Sequence, residues 1–158
     1  MSSRAVIRLA TKEDMESIIE LFSRLKMLNE EFDPMLKISN NLFEKLREFV
    51  EESINDVNSF IVIAEVDNEV IGAAKVSIRE RIFHEINFMG LIEEFYVSPK
   101  YRRKGVGEKM LKYITKELER RGVKLLAASF PTRNEIAVNF YSKQGFRSLE
   151  CVYAKSLD

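Results

Sequence analysis

Several function classes need residues that this chain barely has. It contains one cysteine, Cys151, and one histidine, His84, in 158 residues. No internal disulfide and no Cys/His zinc site can be built from them, so no metal is expected. Tryptophan is absent, and three prolines and six glycines are too few for a Pro/Gly-rich linker or a low-complexity segment. No apolar run is long enough to span a bilayer, and the N-terminal stretch MSSRAVIRLA lacks the apolar core of a secretion signal. Neither sign of charge is in excess, since 25 Lys+Arg balance 25 Asp+Glu. That balance disfavours a nucleic-acid binder working through its overall field. With 46% hydrophobic and 32% charged residues, the composition is globular. We expect one domain over residues 1–158, cytoplasmic, with no membrane and no nucleic-acid partner.

Periodicity places the elements. Ala5–Leu9 reads as a short strand. Thr11 and Asp14 have capping-box spacing ahead of a helix with Met15, Ile18, Ile19, Phe22 and Leu25 on one face. That helix should end near Asn29, before Asp33-Pro34. Leu42, Leu46, Phe49 and Val50 mark a second helix. The apolar run Phe60–Ala64 suits a strand covered on both faces, and Asp67-Asn68-Glu69 turns it into Val70–Arg79 as a hairpin. Arg81–Met89 has no clear period. A strand Leu91–Val97, a helix from about Gly105 to Arg121 ending at Gly122, and a strand Val123–Ser129 follow. Asn134 or Thr132 caps a helix running to about Lys143, and Phe146–Lys155 is expected to supply the last strand or strands. The order β-α-α-β-β-β-α-β-α-β predicts a mixed α/β layer fold with a mostly antiparallel sheet.

The densest chemical signal is LIEEFYVSPKYRRKGVGEKML, residues 91–111. A strand that feeds a helix through a glycine turn leaves backbone N–H groups pointing into open space, where the helix dipole adds about half a positive charge. Arg102, Arg103 and Lys104 add cations, and Gly105 and Gly107 let the backbone approach a ligand. This is a pyrophosphate cradle. It is neither a P-loop, since Gly107 is followed by Glu108-Lys109-Met110, nor a Rossmann turn, since Met110 stands where the third glycine belongs.

Arg-x-x-Gly-x-Gly after a strand ending in Tyr-Val-Ser-Pro resembles the acyl-CoA-binding turn of the GNAT superfamily of N-acetyltransferases. Arg102, Gly105 and Gly107 match its fixed positions. A second pattern, Asn-x-x-Ala-x-x-Phe-Tyr with Gly-Phe further on, is met by Asn134, Ala137, Phe140, Tyr141, Gly145 and Phe146. The order of elements is similar to that family's along most of the chain. The resemblance implies an α/β fold whose mixed, mostly antiparallel central sheet of six to seven strands is flanked by about four helices.

It also implies acetyl-CoA as co-substrate and direct transfer of its acetyl group to a primary amine, on a small molecule or a protein. Phe95, Tyr96 and Val97 would bind the pantetheine arm through backbone. Arg102, Arg103, Lys104, Gly105, Val106, Gly107 and Glu108 would hold the pyrophosphate, Glu108 through its N–H. Asn134 and Tyr141 lie on the helical face beside the cofactor arm. Tyr141 takes the general-acid role, protonating the departing thiolate. Glu93 takes the base position. Glu94 is the second candidate, and strand alternation sends the two to opposite faces. His84 is a third. Glu30, Glu31 and Asp33 would favour a cationic acceptor, or are simply a solvated loop. Two other readings stand beside the enzyme: a non-catalytic acyl-CoA-binding regulatory module, and a nucleic-acid binder using Arg102–Lys104 and Arg120–Lys124. Homodimerisation is left open.

Overall fold

The computed structural model describes residues 4–158; Met1 to Ser3, part of the stretch read for a secretion signal, lie outside the described residues. Nine regular elements follow in order: β1 (Val6–Leu9), α1 (Met15–Glu30), α2 (Leu42–Asn55), β2 (Ser59–Val66), β3 (Glu69–Glu80), β4 (Phe88–Val97), α3 (Val106–Arg120), β5 (Leu126–Ala128) and α4 (Glu135–Lys143). The strands form one sheet in the order β1-β2-β3-β4-β5. The first four run antiparallel to their neighbours, and β5 runs parallel to β4, which it reaches through α3.

Local chemistry accounts for the joints. Asp14 accepts from Thr11 N at 2.8 Å and from two Arg8 nitrogens, which ties the start of α1 to β1. Asp67 and Asn68 both take positive φ, 49° and 65°, giving the two-residue turn that the right-handed strand twist favours between β2 and β3. A second hairpin joins β3 to β4 through residues 81–87, the stretch without a clear period; Arg81 N donates to Asn87 O at 2.6 Å across it. At the end of α3, Gly122 N bonds to Glu119 O and Val123 N to Leu118 O, with Gly122 at φ 77°. That six-to-one closure turns the chain back toward the sheet.

Alternation along the strands divides the core. One layer packs Val62, Ala64, Ala74, Val76 and Ile92 against Val106, Met110, Ile114 and Leu118 of α3 and against Tyr141 of α4. The other packs Ile61, Ile63, Ala73 and Tyr96 against Ile18, Phe22 and Leu25 of α1 and Leu46 and Val50 of α2. The run Phe60–Ala64 is thus buried on both faces, as its lack of polar alternation implies.

Two expectations need correction. The described residues hold five strands, not six to seven. Phe146–Lys155 forms none: 144–158 has no regular structure, and every residue from Arg147 onward is exposed. A strand exists only where a ladder partner exists, and the outer edge of β5 has none among the described residues. β5 itself is three residues long because its ladder with β4 ends at Ile92, where β4 bulges.

Candidate active site

The site grows from that bulge. Across the β3–β4 ladder Lys75 pairs with Glu94 and Val76 with Ile92, so Glu93 is an extra residue without an opposite number. The extra residue cancels strand alternation. Glu93 and Glu94 therefore share one face, the side of α1 and α2, and the expectation that they point apart is wrong. Glu93 accepts from Lys75, from Ser77 Oγ at 2.8 Å and from Arg79. Glu94 accepts from Lys26 of α1 at 2.7 Å. Lys75 is 8% exposed and lies 4.9 Å from the centre of the Phe49 ring.

The two carboxyls are electrically unlike. Burial pushes the Glu93 carboxyl up, but the hydrogen bonds from Lys75 and Ser77 outweigh it and hold it below the usual carboxylate range. Burial also pushes Glu94 up, and here it wins over the attraction of Lys26, leaving that carboxyl above the usual range. One turn beyond Lys26, Asn29 has a buried Oδ1 with no hydrogen-bond partner among the described residues.

Beyond the bulge, β4 has a free edge. Ser129 N still bonds to Ile92 O at 3.0 Å, after which the chain leaves through Phe130-Pro131. Ser98 N bonds to Ile71 O on the β3 side, so by alternation the backbone groups of Phe95 and Val97 face outward, while those of Tyr96 face β3. Of the three residues expected to offer backbone, two are placed to do so. Val97 O already accepts from Arg102 Nε at 2.8 Å, and the Arg102 guanidinium lies 5.0 Å from the centre of the Tyr96 ring. Arg102 thus fastens the turn to β4 instead of projecting freely.

The glycine turn leads into α3 as expected. Gly105 is the N-cap, at φ 82°, and no side chain caps the helix. Its own C=O accepts the first helical bond, from Lys109 N. The N–H groups of Val106, Gly107 and Glu108 have no acceptor among the described residues. A Cβ on Gly105 would meet no atom within 4 Å, so open space lies on that side. A Cβ on Gly107 would come to 3.3 Å from the Phe140 ring and 3.6 Å from Phe95. Gly107 is needed for packing, and it brings the first turn of α3 against β4 and α4.

Tyr141 stands at that junction. It is 6% exposed and ringed by phenylalanines: stacked on Phe130 at 5.3 Å and edge-on to Phe95, Phe140 and Phe146 at 6.3, 5.1 and 5.1 Å. Burial raises its hydroxyl above the ordinary tyrosine value. Asn134 Oδ1 accepts from Ala137 N at 3.1 Å, so Asn134 caps α4. At the other end Phe146 N bonds to Tyr141 O, and Gly145 takes φ 91°, which explains why Gly-Phe follows the helix.

The remaining candidates scatter. His84 is exposed in the 81–87 loop, at the opposite end of β4 from Val97. Glu30 accepts from Ile38 N and Asp33 from Met35 N, so both hold their own loop. Arg133 reaches Phe32 O and connects that loop to the segment before α4. Sequence reasoning misses Lys26, Lys75, Ser77 and Arg79. The lone lysine inside the apolar run VIGAAKVSI is the available signal.

Comparison with known proteins decides among the cradle readings. Residues 15–146 match the family model described as the acetyltransferase (GNAT) family. The chain belongs to that family. As a GNAT acetyltransferase it is 25% identical over 151 residues, 96% of its length and 90% of the other's, to an aminoalkylphosphonate N-acetyltransferase of Salmonella typhimurium. Among solved structures it is similar to a predicted acetyltransferase of Clostridium acetobutylicum crystallised with acetyl-CoA, at TM-score 0.79 and 17% identity, covering 97% of this chain and 96% of that one. It is also similar to an aminoglycoside N-acetyltransferase in complex with CoA, at TM-score 0.78 and 20% identity, covering 99% and 96%. At these identities the structural likeness is one of fold. No helix among the described residues is long and apolar enough to cross a membrane.

Proposed function

We propose that this GNAT acetyltransferase moves the acetyl group of acetyl-CoA onto a primary amine by direct attack, without an acyl-enzyme. The observation that carries the reading is a convergence. The uncapped start of α3 meets Phe95, on the free strand edge, at Gly107, and the Tyr141 ring stands edge-on to Phe95 at 6.3 Å. Two carboxylates lie just across the strand.

The residues present fit the coenzyme. Unsatisfied N–H groups of Val106, Gly107 and Glu108 suit a pyrophosphate, with Arg103 and Lys104 adding positive charge beside them. The outward groups of Phe95 and the Val97 N–H suit the amides of a pantetheine arm, taken up as an added strand. The bound coenzyme supplies an activated acyl group. An acceptor ammonium must lose a proton before its nitrogen can attack. Glu94, raised by burial, is the better-matched base, and we assign it that role. Glu93, occupied by three donors, holds Lys75 and the floor of the acceptor side. Tyr141 carries its proton at neutral pH, as an ordinary tyrosine does, and burial raises it further; that proton can pass to the departing sulfur. The unpartnered Asn29 Oδ1, one helical turn from Lys26, suits an N–H donor of the acceptor.

The relatives' names support an amine acceptor, on a small molecule for the aminoalkylphosphonate and aminoglycoside enzymes and on a protein for a ribosomal-protein-alanine N-acetyltransferase of similar fold. The experiment is CoA release with a panel of such amines, read with mass detection of the acetylated product. Product with at least one amine is expected. In parallel, Gly105→Glu should abolish acetyl-CoA binding through bulk, negative charge and the left-handed φ. Normal affinity in that variant would show that the turn is not the cradle.

A further inference from the structure

Two lysines on the α1 and α2 side of β4 donate to carboxylates, and they are not alike. Lys75 is buried against the Phe49 ring and donates to both Ser77 Oγ and Glu93, whose carboxyl is held low and is therefore a weak proton acceptor. Lys26 of α1 has a side chain 32% exposed, and its one side-chain hydrogen bond among the described residues runs 2.7 Å to Glu94 Oε2. An ammonium has three N–H groups, so this one has donors to spare. Three residues on, the same helical face carries the buried Asn29 Oδ1, which has no partner among the described residues.

Glu94 is the carboxyl assigned above to take the acceptor's proton. Any amine that it serves must come within about 2.6–3.2 Å of it. Lys26 Nζ meets that condition before an acceptor arrives, and it is itself a primary amine. The strand edge that suits the coenzyme arm begins at Phe95, the residue after Glu94. Amine, base and coenzyme edge are therefore contiguous in the free protein.

We propose that Lys26 is an acceptor built into the site: without an external amine, the enzyme acetylates its own Lys26. The inference rests on the transferase reading with Glu94 as base. The Lys26 ammonium gives one proton to Glu94, its nitrogen attacks the acetyl carbonyl, an N–C bond forms and the C–S bond breaks. The sulfur leaves with the Tyr141 proton. The second proton shed by the nitrogen restores Tyr141 through water, and Glu94 returns its own to solvent. The product is an uncharged amide, which can no longer pair with Glu94 as an ion. Lys26 thus competes with external amines for one carboxyl.

The test incubates the full chain with acetyl-CoA and no amine, then reads the intact mass and locates the acetyl group by peptide mapping. One acetyl group per chain is expected, on Lys26, at a rate independent of protein concentration because amine and site belong to one molecule. Chemical acetylation by the thioester would instead spread over exposed lysines such as Lys12 and Lys45. Glu94→Gln should slow the gain at Lys26 by about 10²-fold and leave that background unchanged. Should that variant fail to fold, Lys26→Arg keeps the cation beside Glu94 and should abolish the gain. Lys26 left unmodified, modified no faster than Lys12 and Lys45, modified as fast in Glu94→Gln, or modified at a rate that rises with protein concentration overturns the proposal. The transferase reading survives any of these results if an amine of the panel is acetylated, and it falls as well if acetyl-CoA does not bind.

Discussion

The two sides of β4 around its bulge are built from opposite materials. On the α3 and α4 side, Phe95 opens onto an aromatic enclosure whose one polar atom is the Tyr141 hydroxyl. On the α1 and α2 side, Glu93 and Glu94 sit among Lys26, Lys75, Ser77 and Arg79. The contrast separates the two proton jobs of the proposed reaction. An apolar surround favours the neutral form of an acid, so Tyr141, protonated at neutral pH like any tyrosine, is held still more firmly in that form. A charged surround can be tuned in either direction, and neighbouring carboxyls come out on opposite sides of the ordinary value. The two carboxyls are thus set apart by environment and not by residue type.

The sharpest way to break this contrast is Tyr141→Phe. It keeps the ring packing and removes the hydroxyl from the aromatic enclosure. Turnover should fall by about 10²–10³-fold with acetyl-CoA affinity nearly unchanged; an unaltered rate would take Tyr141 out of proton transfer. Next comes Glu94→Gln. Turnover at neutral pH should fall by about 10²-fold. In the wild type, activity should rise with pH through a value above the ordinary carboxylate range, because the raised carboxyl must lose its proton before it can accept one. The variant's profile should lack that rise, and a profile that keeps it would move the base elsewhere. Glu93→Ala should act mainly on stability. It leaves Lys75 buried beside Phe49 without its carboxylate, at a loss of about 2 kcal/mol by denaturant unfolding. A larger effect on turnover than that of Glu94→Gln would reverse the assignment of the two.

The smallest effect should come from Asp14→Asn, a carboxylate remote from the bulge. The hydrogen bonds from Arg8 hold Asp14 below the usual range. A lowered folded value stabilises the fold above the unfolded carboxylate range, and the benefit is lost as pH falls through the folded value. The variant should lose about 1 kcal/mol near neutral pH, converge with the wild type in acid, and keep its turnover. A change in turnover would mean that β1 and α1 are coupled to the site.

Much of this architecture is legible in the sequence. The apolar run of β2, the Asp-Asn turn, the glycine start of α3 and the Asn134-to-Phe146 helix each carry their conformation in a few adjacent residues. Four features do not. The bulge is invisible because period-two reasoning assumes that no residue is extra, and Glu93 breaks that assumption without a glycine to mark it. The 81–87 loop is ambiguous because Ile82, Phe83 and Ile86 are apolar yet exposed. The charged group around Lys75 gathers residues from α1, β3 and β4, and no window of sequence contains all three. The tail carries strand formers such as Val152 and Tyr153, but a strand needs a ladder partner, and no short stretch of sequence supplies one.

The extra residue at position 93 also has a consequence for how the chain tolerates change. It acts as a phase adapter inside one strand, so residues 88–92 and 94–97 count their faces independently. Deleting that single position would leave Ile92 and Glu94 as consecutive residues opposite Val76 and Lys75, so the ladder would become regular and every remaining side chain would keep its face. Point substitutions on either half leave the opposite half in register. One residue can therefore be lost at this position without turning either half of the strand over.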